Sequence, residues 1–153
     1  MLKFNDIEAL LSLPCASAHH DDGGGHHATT EKPSYLPAVA KRIWPFVAGL
    51  ATGAHSVDAM MKLYRLQAGA GTVPPHQDKD YQGKNGMWAR HSIIIFLNED
   101  YEGGETLFEG VRLKARPEVG GGLLFPHQLL HEGRAVIRGT KFVLKTDLFT
   151  LPR

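Results

Sequence analysis

From Met60 onward the chain is broken into short β-prone runs separated by glycine-rich or polar turns. The run Met61-Lys62-Leu63-Tyr64-Arg65-Leu66 alternates in polarity, and Gly69 and Gly71 mark the turn after it. Ser92 to Asn98 reads as a buried strand, Asn98 to Gly104 as a polar turn, and Val111 to Ala115 as a short alternating strand. Gly120-Gly121-Gly122 precede another buried strand at Leu123-Leu124-Phe125. Two more strands, Ala135 to Ile137 and Lys141 to Thr150, are joined by Arg138-Gly139-Thr140. Many short strands at regular spacing build a sandwich or a small barrel.

Upstream of this region the apolar period is helical. Leu2, Phe4, Ile7, Leu10, Leu11 and Leu13 predict an amphipathic helix that Pro14 ends. Leu36, Val39, Ala40, Ile43, Trp44 and Val47 predict a second helix, interrupted near Pro45. Between them, residues 16–33 hold His19, His20, Asp21, Asp22, Gly23, Gly24, Gly25, His26 and His27. Such a run buries little apolar surface, so it is expected to be a mobile, solvated loop rather than a metal site of fixed geometry. The organisation expected is a single domain over 1–153, with 1–59 as helical support and 60–153 as an antiparallel barrel.

A formal net charge of +1 offers no strong field for nucleic acid or a membrane surface, and neither is expected as a partner. Cys15 is the sole cysteine, so no intrachain disulfide can form, which suits a reducing compartment. Residues 1–14 lack the charged-then-apolar-then-small order of a signal peptide. A cytoplasmic location is the expectation.

The chemistry concentrates in Pro74-Pro75-His76-Gln77-Asp78, with His131 far downstream and Lys141 beyond it. On an extended chain, His76 and Asp78 project from the same face. With His131 from a distant strand, two imidazoles and one carboxylate would leave the other positions of a six-coordinate ion open, the arrangement of non-heme Fe(II) oxygenases. Taken singly, each residue has an ordinary reading: His76 as a solvated loop histidine, Asp78 as a turn residue, His131 as a satisfied histidine beside Glu132. Lys141 sits in the apolar run Phe142-Val143-Leu144. It reads either as an edge lysine reaching water or as a point charge inside the barrel that pairs with a carboxylate.

The order His76-x-Asp78, Gly103-Gly104-Glu105-Thr106, Gly120-x-x-Leu123-x-Phe125 and His131-x-Gly133-x-x-Val136-x-x-Gly139-x-Lys141 resembles the prolyl 4-hydroxylase-like branch of the Fe(II)- and 2-oxoglutarate-dependent dioxygenases. The resemblance spans roughly residues 60–150. It implies a mainly β fold with flanking N-terminal helices: a double-stranded β-helix, or jelly-roll, cupin-like barrel. It implies Fe(II) held by His76, Asp78 and His131, with 2-oxoglutarate as co-substrate on Lys141, O2 as oxidant and ascorbate as reductant. Ser92 falls where relatives place a threonine that helps hold the co-substrate carboxylate. Leu66 stands where relatives carry a co-substrate tyrosine, and Tyr64, on the same strand face, is expected to substitute.

The activity so implied is hydroxylation of an unactivated C–H with decarboxylation of 2-oxoglutarate to succinate. Asp78 fills the position that related halogenases leave open for halide. Asp147 and Arg90 are the candidate substrate contacts, for a cationic amine and a carboxylate respectively. Tyr81 and Trp88 read as either core or pocket wall. His127 reads as a rival ligand at the wrong interval from Lys141. A small molecule or free amino acid is the expected substrate. The alternatives are a peptidyl-prolyl hydroxylase and a catalytically idle metal-binding barrel that acts as a sensor or interaction module. A nucleic-acid demethylase on a similar barrel is disfavoured by the lack of a basic groove. Oligomeric state has no signal in the sequence.

Overall fold

The computed structural model describes residues 28–30, 34–84, 86–115 and 118–152. The elements are β1 (Ala28–Thr30), β2 (Ser34–Tyr35), α1 (Pro37–Val47), β3 (Ala54–Val57), β4 (Met60–Gln67), β5 (Val73–His76), β6 (Tyr81–Gln82) and β7 (Trp88–Phe96). They continue as β8 (Glu102–Gly103), β9 (Thr106–Phe108), a 3-10 turn at Glu109–Val111, β10 (Leu113–Ala115), β11 (Gly122–Pro126), β12 (His131–Gly133), β13 (Val136–Arg138) and β14 (Thr140–Thr150).

A large antiparallel sheet runs β1-β4-β14-β7-β11, with β2 on β4, β3 on β14 and β6 on β7. A small sheet runs β10-β9-β12-β5, and β13 pairs with β8. The fold is therefore mainly β, with one α-helix among the described residues, and its sheets are separate ladders rather than one closed ring.

Strand alternation gives the large sheet two faces. Along β14, Leu144 and Leu148 meet Met61, Leu63, Ile93 and Ile95 of the neighbouring strands on the outer face. Ala40, Ile43 and Val47 of α1 cover them, at the i, i+3, i+7 spacing of one helix face. The inner face belongs to the other set: Lys141, Val143, Lys145 and Asp147 on β14, with Ser92, Ile94 and Phe96 opposite on β7. The small sheet stacks on this inner face, where Phe108 and Ala115 pack with Phe125, Ile94 and Leu123.

The expected strands appear, with differences at their ends. The helix runs through Pro45 and stops at Val47, so the proline acts within the last turn instead of splitting the element. The polar turn at 98–104 contains β8, because Gly103 pairs with Val136. The strand expected from Val111 starts at Leu113, since Arg112 takes a left-handed φ of 51° that closes the 3-10 turn. Of the segment read as a loop, Ala28–Thr30 pairs with Tyr64–Leu66 as a strand. The helix expected at 2–13 and the histidine-rich stretch 19–27 lie outside the described residues. Gly139, between β13 and β14, has a φ of 80°, and a Cβ there would come within 2.7 Å of the Asp100 carbonyl oxygen. Only glycine suits that turn.

Leu148 is fully buried beneath α1. Leu148→Ala is expected to destabilise the fold by about 2–5 kcal/mol, read as a lower urea midpoint with an unchanged slope.

Candidate active site

The site begins with one pair of strands. β5 and β12 are antiparallel, and His76 stands directly opposite His131. Opposite residues of such a pair share a face, and the two rings lie 4.2 Å apart, centre to centre. His131 is buried, wedged against Phe125 at 4.7 Å and Phe108 at 6.0 Å. Each ring uses its Nδ1 on a backbone carbonyl: His76 on Pro74 at 2.9 Å, His131 on Leu129 at 2.9 Å. A carbonyl only accepts, so each Nδ1 carries the hydrogen and each Nε2 keeps its lone pair for the site.

Asp78 is not on the strand with His76, contrary to the expectation of one extended segment. The strand ends at His76, and the chain then turns to a different support. The Asp78 N–H donates to the His127 carbonyl at 2.9 Å, and Gln77 Nε2 donates to the Gln128 carbonyl at 2.6 Å. The Asp78 carboxylate meets the large sheet: Oδ1 accepts from Lys145 Nζ at 2.9 Å, and Oδ2 accepts from Ser92 Oγ. Oδ1 lies 3.9 Å from His76 Nε2, and Oδ2 lies 3.9 Å from His131 Nε2. One ligand atom from each of His76, Asp78 and His131 falls within a 4.8 Å group.

Electrostatics follow from these contacts. Burial works against the Asp78 anion, but Lys145 and Ser92 outweigh it and hold the carboxyl below its ordinary pKa. Burial lowers the His131 pKa, helped by neighbouring His76, and this favours the neutral ring that can ligate. Burial also opposes the Lys145 ammonium, yet Asp78 and Asp147 together raise its pKa.

The three groups open onto a cavity of about 140 Å³ between the sheets, which also reaches Lys141, Tyr64 and Thr106. Leu66, Ile94 and Val143 supply its apolar wall. Lys141 is 3% exposed. Its Nζ donates to the Gly104 carbonyl at 2.6 Å and lies 4.9 Å from the centre of the Phe96 ring. A larger cleft of about 340 Å³ lies between α1 and the β7–β11 edge, and Arg42 is the one ionisable group in its lining. It offers no chemistry comparable to the smaller cavity.

Three expectations need correction. Ser92 pairs with Asp147 in the β7–β14 register, six residues from Lys141. That is about 20 Å along a strand, too far for both to hold one carboxylate; Ser92 supports Asp78 instead. Asp147 is engaged by His127 Nε2 at 3.2 Å and by Tyr81 Oη at 3.1 Å. Arg90 reaches Asp80 at 3.8 Å and Thr150 Oγ1 at 3.2 Å, with its guanidinium 5.1 Å from the centre of the Trp88 ring. Neither lines the cavity. Tyr64 does, opposite Val143, and Leu66 beside it lies opposite Lys141.

Lys145 and His127 were missed as supports of Asp78. The alternation of β14 already places Lys145 on the Lys141 face; the partner arriving from another sheet was the illegible part. His127, 1% exposed, stands between Asp147 and Asp80, with Nδ1 3.2 Å from Asp80 Oδ1 but poorly aligned for a hydrogen bond. Tyr81 places its hydroxyl between Asp58 Oδ2, at 2.8 Å, and Asp147. Burial and these two carboxylates raise its pKa.

The sequence profile of the 2OG-Fe(II) oxygenase superfamily matches residues 60–146. The chain belongs to that superfamily. It is a non-heme iron dioxygenase, and the family's chemistry uses Fe(II), 2-oxoglutarate and O2. No curated protein matches it by sequence. Solved structures share the fold. A viral collagen prolyl hydroxylase from Paramecium Bursaria Chlorella virus-1, in complex with 2-oxoglutarate, superposes with a TM-score of 0.70 at 16% identity, over 99% of this chain and 92% of its own. A Pseudomonas putida prolyl-4-hydroxylase gives 0.65 at 19% identity, over 97% and 88%. A Trichoplax adhaerens prolyl hydroxylase, in complex with a peptide fragment of the hypoxia inducible factor oxygen degradation domain, gives 0.62 at 10% identity, over 96% and 74%. The oxygenase fold thus extends through α1, well beyond the profile match.

The His127 bridge generates a pH prediction. Burial pushes its pKa down, but the hydrogen bond and charge of Asp147, with Asp78 farther off, raise it above the ordinary 6.5. The native state then holds more protons than the unfolded chain between 6.5 and the raised value. Stability from this group is complete below that window and is lost as pH rises through it. Urea midpoints of the wild type should fall across the window, and those of His127→Gln should lack that slope.

Proposed function

We propose that the oxygenase binds Fe(II) through His76 Nε2, the Asp78 carboxylate and His131 Nε2, and binds 2-oxoglutarate with its distal carboxylate on Lys141. The facing sheets would be the two halves of a double-stranded β-helix, with helices from the N-terminal region beside them. The donor set suits the ion: two imidazole nitrogens and one carboxylate on one side leave positions open for the co-substrate and O2. The preset tautomers of both histidines are what a metal site needs from its outer contacts. Lys141, buried at the end of the same cavity, is the observation that carries the co-substrate assignment.

When bound, iron and 2-oxoglutarate would supply, with O2, an oxidation in which one oxygen atom goes to the keto acid, giving succinate and carbon dioxide, and the other converts a substrate C–H to C–OH. The protein's part is placement. Lys141 neutralises a carboxylate away from water, where a charge-assisted contact is strong. The Gly104 carbonyl and the Phe96 ring hold the ammonium in place. Gly104 has a φ of 68°, and a Cβ there would lie 3.2 Å from Lys141 Cδ, so a side chain would crowd the lysine stem. Tyr64 lines the same space, consistent with a hydrogen bond to the co-substrate. Leu66, Ile94 and Val143 limit water beside the reacting centre. Ascorbate would serve as an external reductant for iron.

The substrate we propose is a small molecule or amino acid, which suits a compact chain with no evident peptide-binding module among the described residues. A second reading, a prolyl residue of a peptide, is favoured by the prolyl hydroxylases that share the fold, one of them with a bound peptide.

The deciding assay is succinate release with Fe(II), 2-oxoglutarate and ascorbate, across free amino acids and proline-containing peptides. Stimulation by free amino acids alone supports the first reading; stimulation by peptides alone supports the second. His76→Ala and His131→Ala should each abolish iron-dependent turnover, and full activity in either would refute the triad. Lys141→Ala should raise the KM for 2-oxoglutarate about 100-fold or more, as loss of a buried ion-pair partner does, while iron affinity changes far less.

A further inference from the structure

The cavity carries a second lysine that the proposed reaction leaves without a role. Lys145 shares the inner face of β14 with Lys141, four residues away. That spacing is about 13 Å between Cα atoms, so the two ammonium groups serve different ends of one pocket. Lys141 is at the buried end. The Lys145 side chain is 24% exposed and ends on Asp78 Oδ1, among the proposed metal ligands.

Each Asp78 oxygen thus already accepts one hydrogen bond: Oδ1 from Lys145, Oδ2 from Ser92. A divalent ion entering between His76 and His131 must bind, through either oxygen, a carboxylate whose charge Lys145 already neutralises. Imidazole ligands bring no charge. One ammonium, one carboxylate and one divalent ion leave an excess of two positive charges in a half-buried site, where screening is weak. The metal and Lys145 are therefore competitors for Asp78 until an anion arrives. A carboxylate bound at the metal relieves the excess and gives the displaced ammonium a new partner.

Resting on the metal assignment above, we infer that Lys145 is a second anion anchor. It neutralises Asp78 while the metal is absent, and it pairs with the metal-chelating carboxylate of 2-oxoglutarate once the ion has taken Asp78. The consequence is ordered assembly. Lys145 weakens binding of the bare ion and strengthens binding of the ion together with the keto acid. The same linkage requires that metal strengthen the keto acid by the same factor.

Mn(II), which does not oxidise readily, is the probe, with its affinity measured by electron paramagnetic resonance with and without 2-oxoglutarate. The ratio of the two dissociation constants is the coupling factor. In Lys145→Met, Mn(II) alone should bind about tenfold more tightly than in wild type and Mn(II) with 2-oxoglutarate about tenfold more weakly, so the coupling factor should fall about 100-fold. Lys145→Gln, which keeps a hydrogen-bond donor for Asp78 without the charge, should behave like Lys145→Met. Lys145→Arg should retain the wild-type coupling. A coupling factor unchanged in the two neutral variants overturns this inference and leaves the metal site standing. Failure of wild-type protein to bind Mn(II), or binding indifferent to His131→Ala, overturns the metal site itself.

Discussion

Charged side chains on the inner face of a core strand set the terms for this protein. Lys141, Lys145 and Asp147 follow one another on β14, which pairs with β4 from Thr140 to Lys145 and with β7 from Val143 to Thr150. An uncompensated buried charge is costly, and each has a specific answer. Lys141 has the Gly104 carbonyl, Lys145 has Asp78, and Asp147 has His127 and Tyr81. The opposite face of the same strand is apolar and packs under α1. One strand therefore divides the molecule into a core that holds it together and a polar interior that performs chemistry.

The small sheet contributes a different kind of order. Register alone puts His76 opposite His131, and two backbone carbonyls fix which nitrogen of each ring is available. Neither feature requires a metal, so two of three proposed ligands are oriented before an ion binds. The third is oriented from the large sheet, through Lys145 and Ser92. The Asp78 backbone is held by the carbonyl of His127, whose ring reaches towards Asp80 and Asp147.

What was legible in the sequence reflects how local each cause is. The β14 alternation, the buried run at Ser92–Phe96 and the glycine before β14 are short-range patterns, and they placed the strands; the His76, Asp78, His131 and Lys141 set was read instead from motif order and the family resemblance it carries. The errors arose where a partner came from elsewhere. Ser92 was assigned to a carboxylate near Lys141, yet β7 and β14 pair antiparallel and place Ser92 opposite Asp147. Asp147 and Arg90 looked available because the partners that engage them, Tyr81 and His127 for Asp147 and Thr150 for Arg90, lie 20 to 66 residues away in the chain. The strand through His76 was expected to include Asp78, but the hydrogen bond to His127 draws the chain off the ladder after one residue. Strand pairing is a long-range choice, and one-dimensional alternation does not encode it.

The division of ligands between sheets gives the proposed metal a structural meaning. His76 and His131 belong to the small sheet, whereas Asp78 is tied to β7 and β14 of the large one. An ion bound by all three would join the sheets beside the apolar contact that Phe108 and Phe125 make around His131. Without metal, Lys145 and Ser92 hold Asp78 to the large sheet, and His131 meets that sheet through the Phe125 ring. The proposed exchange of partners at Asp78 would add a link between the two sheets to the one His131 already makes through Phe125.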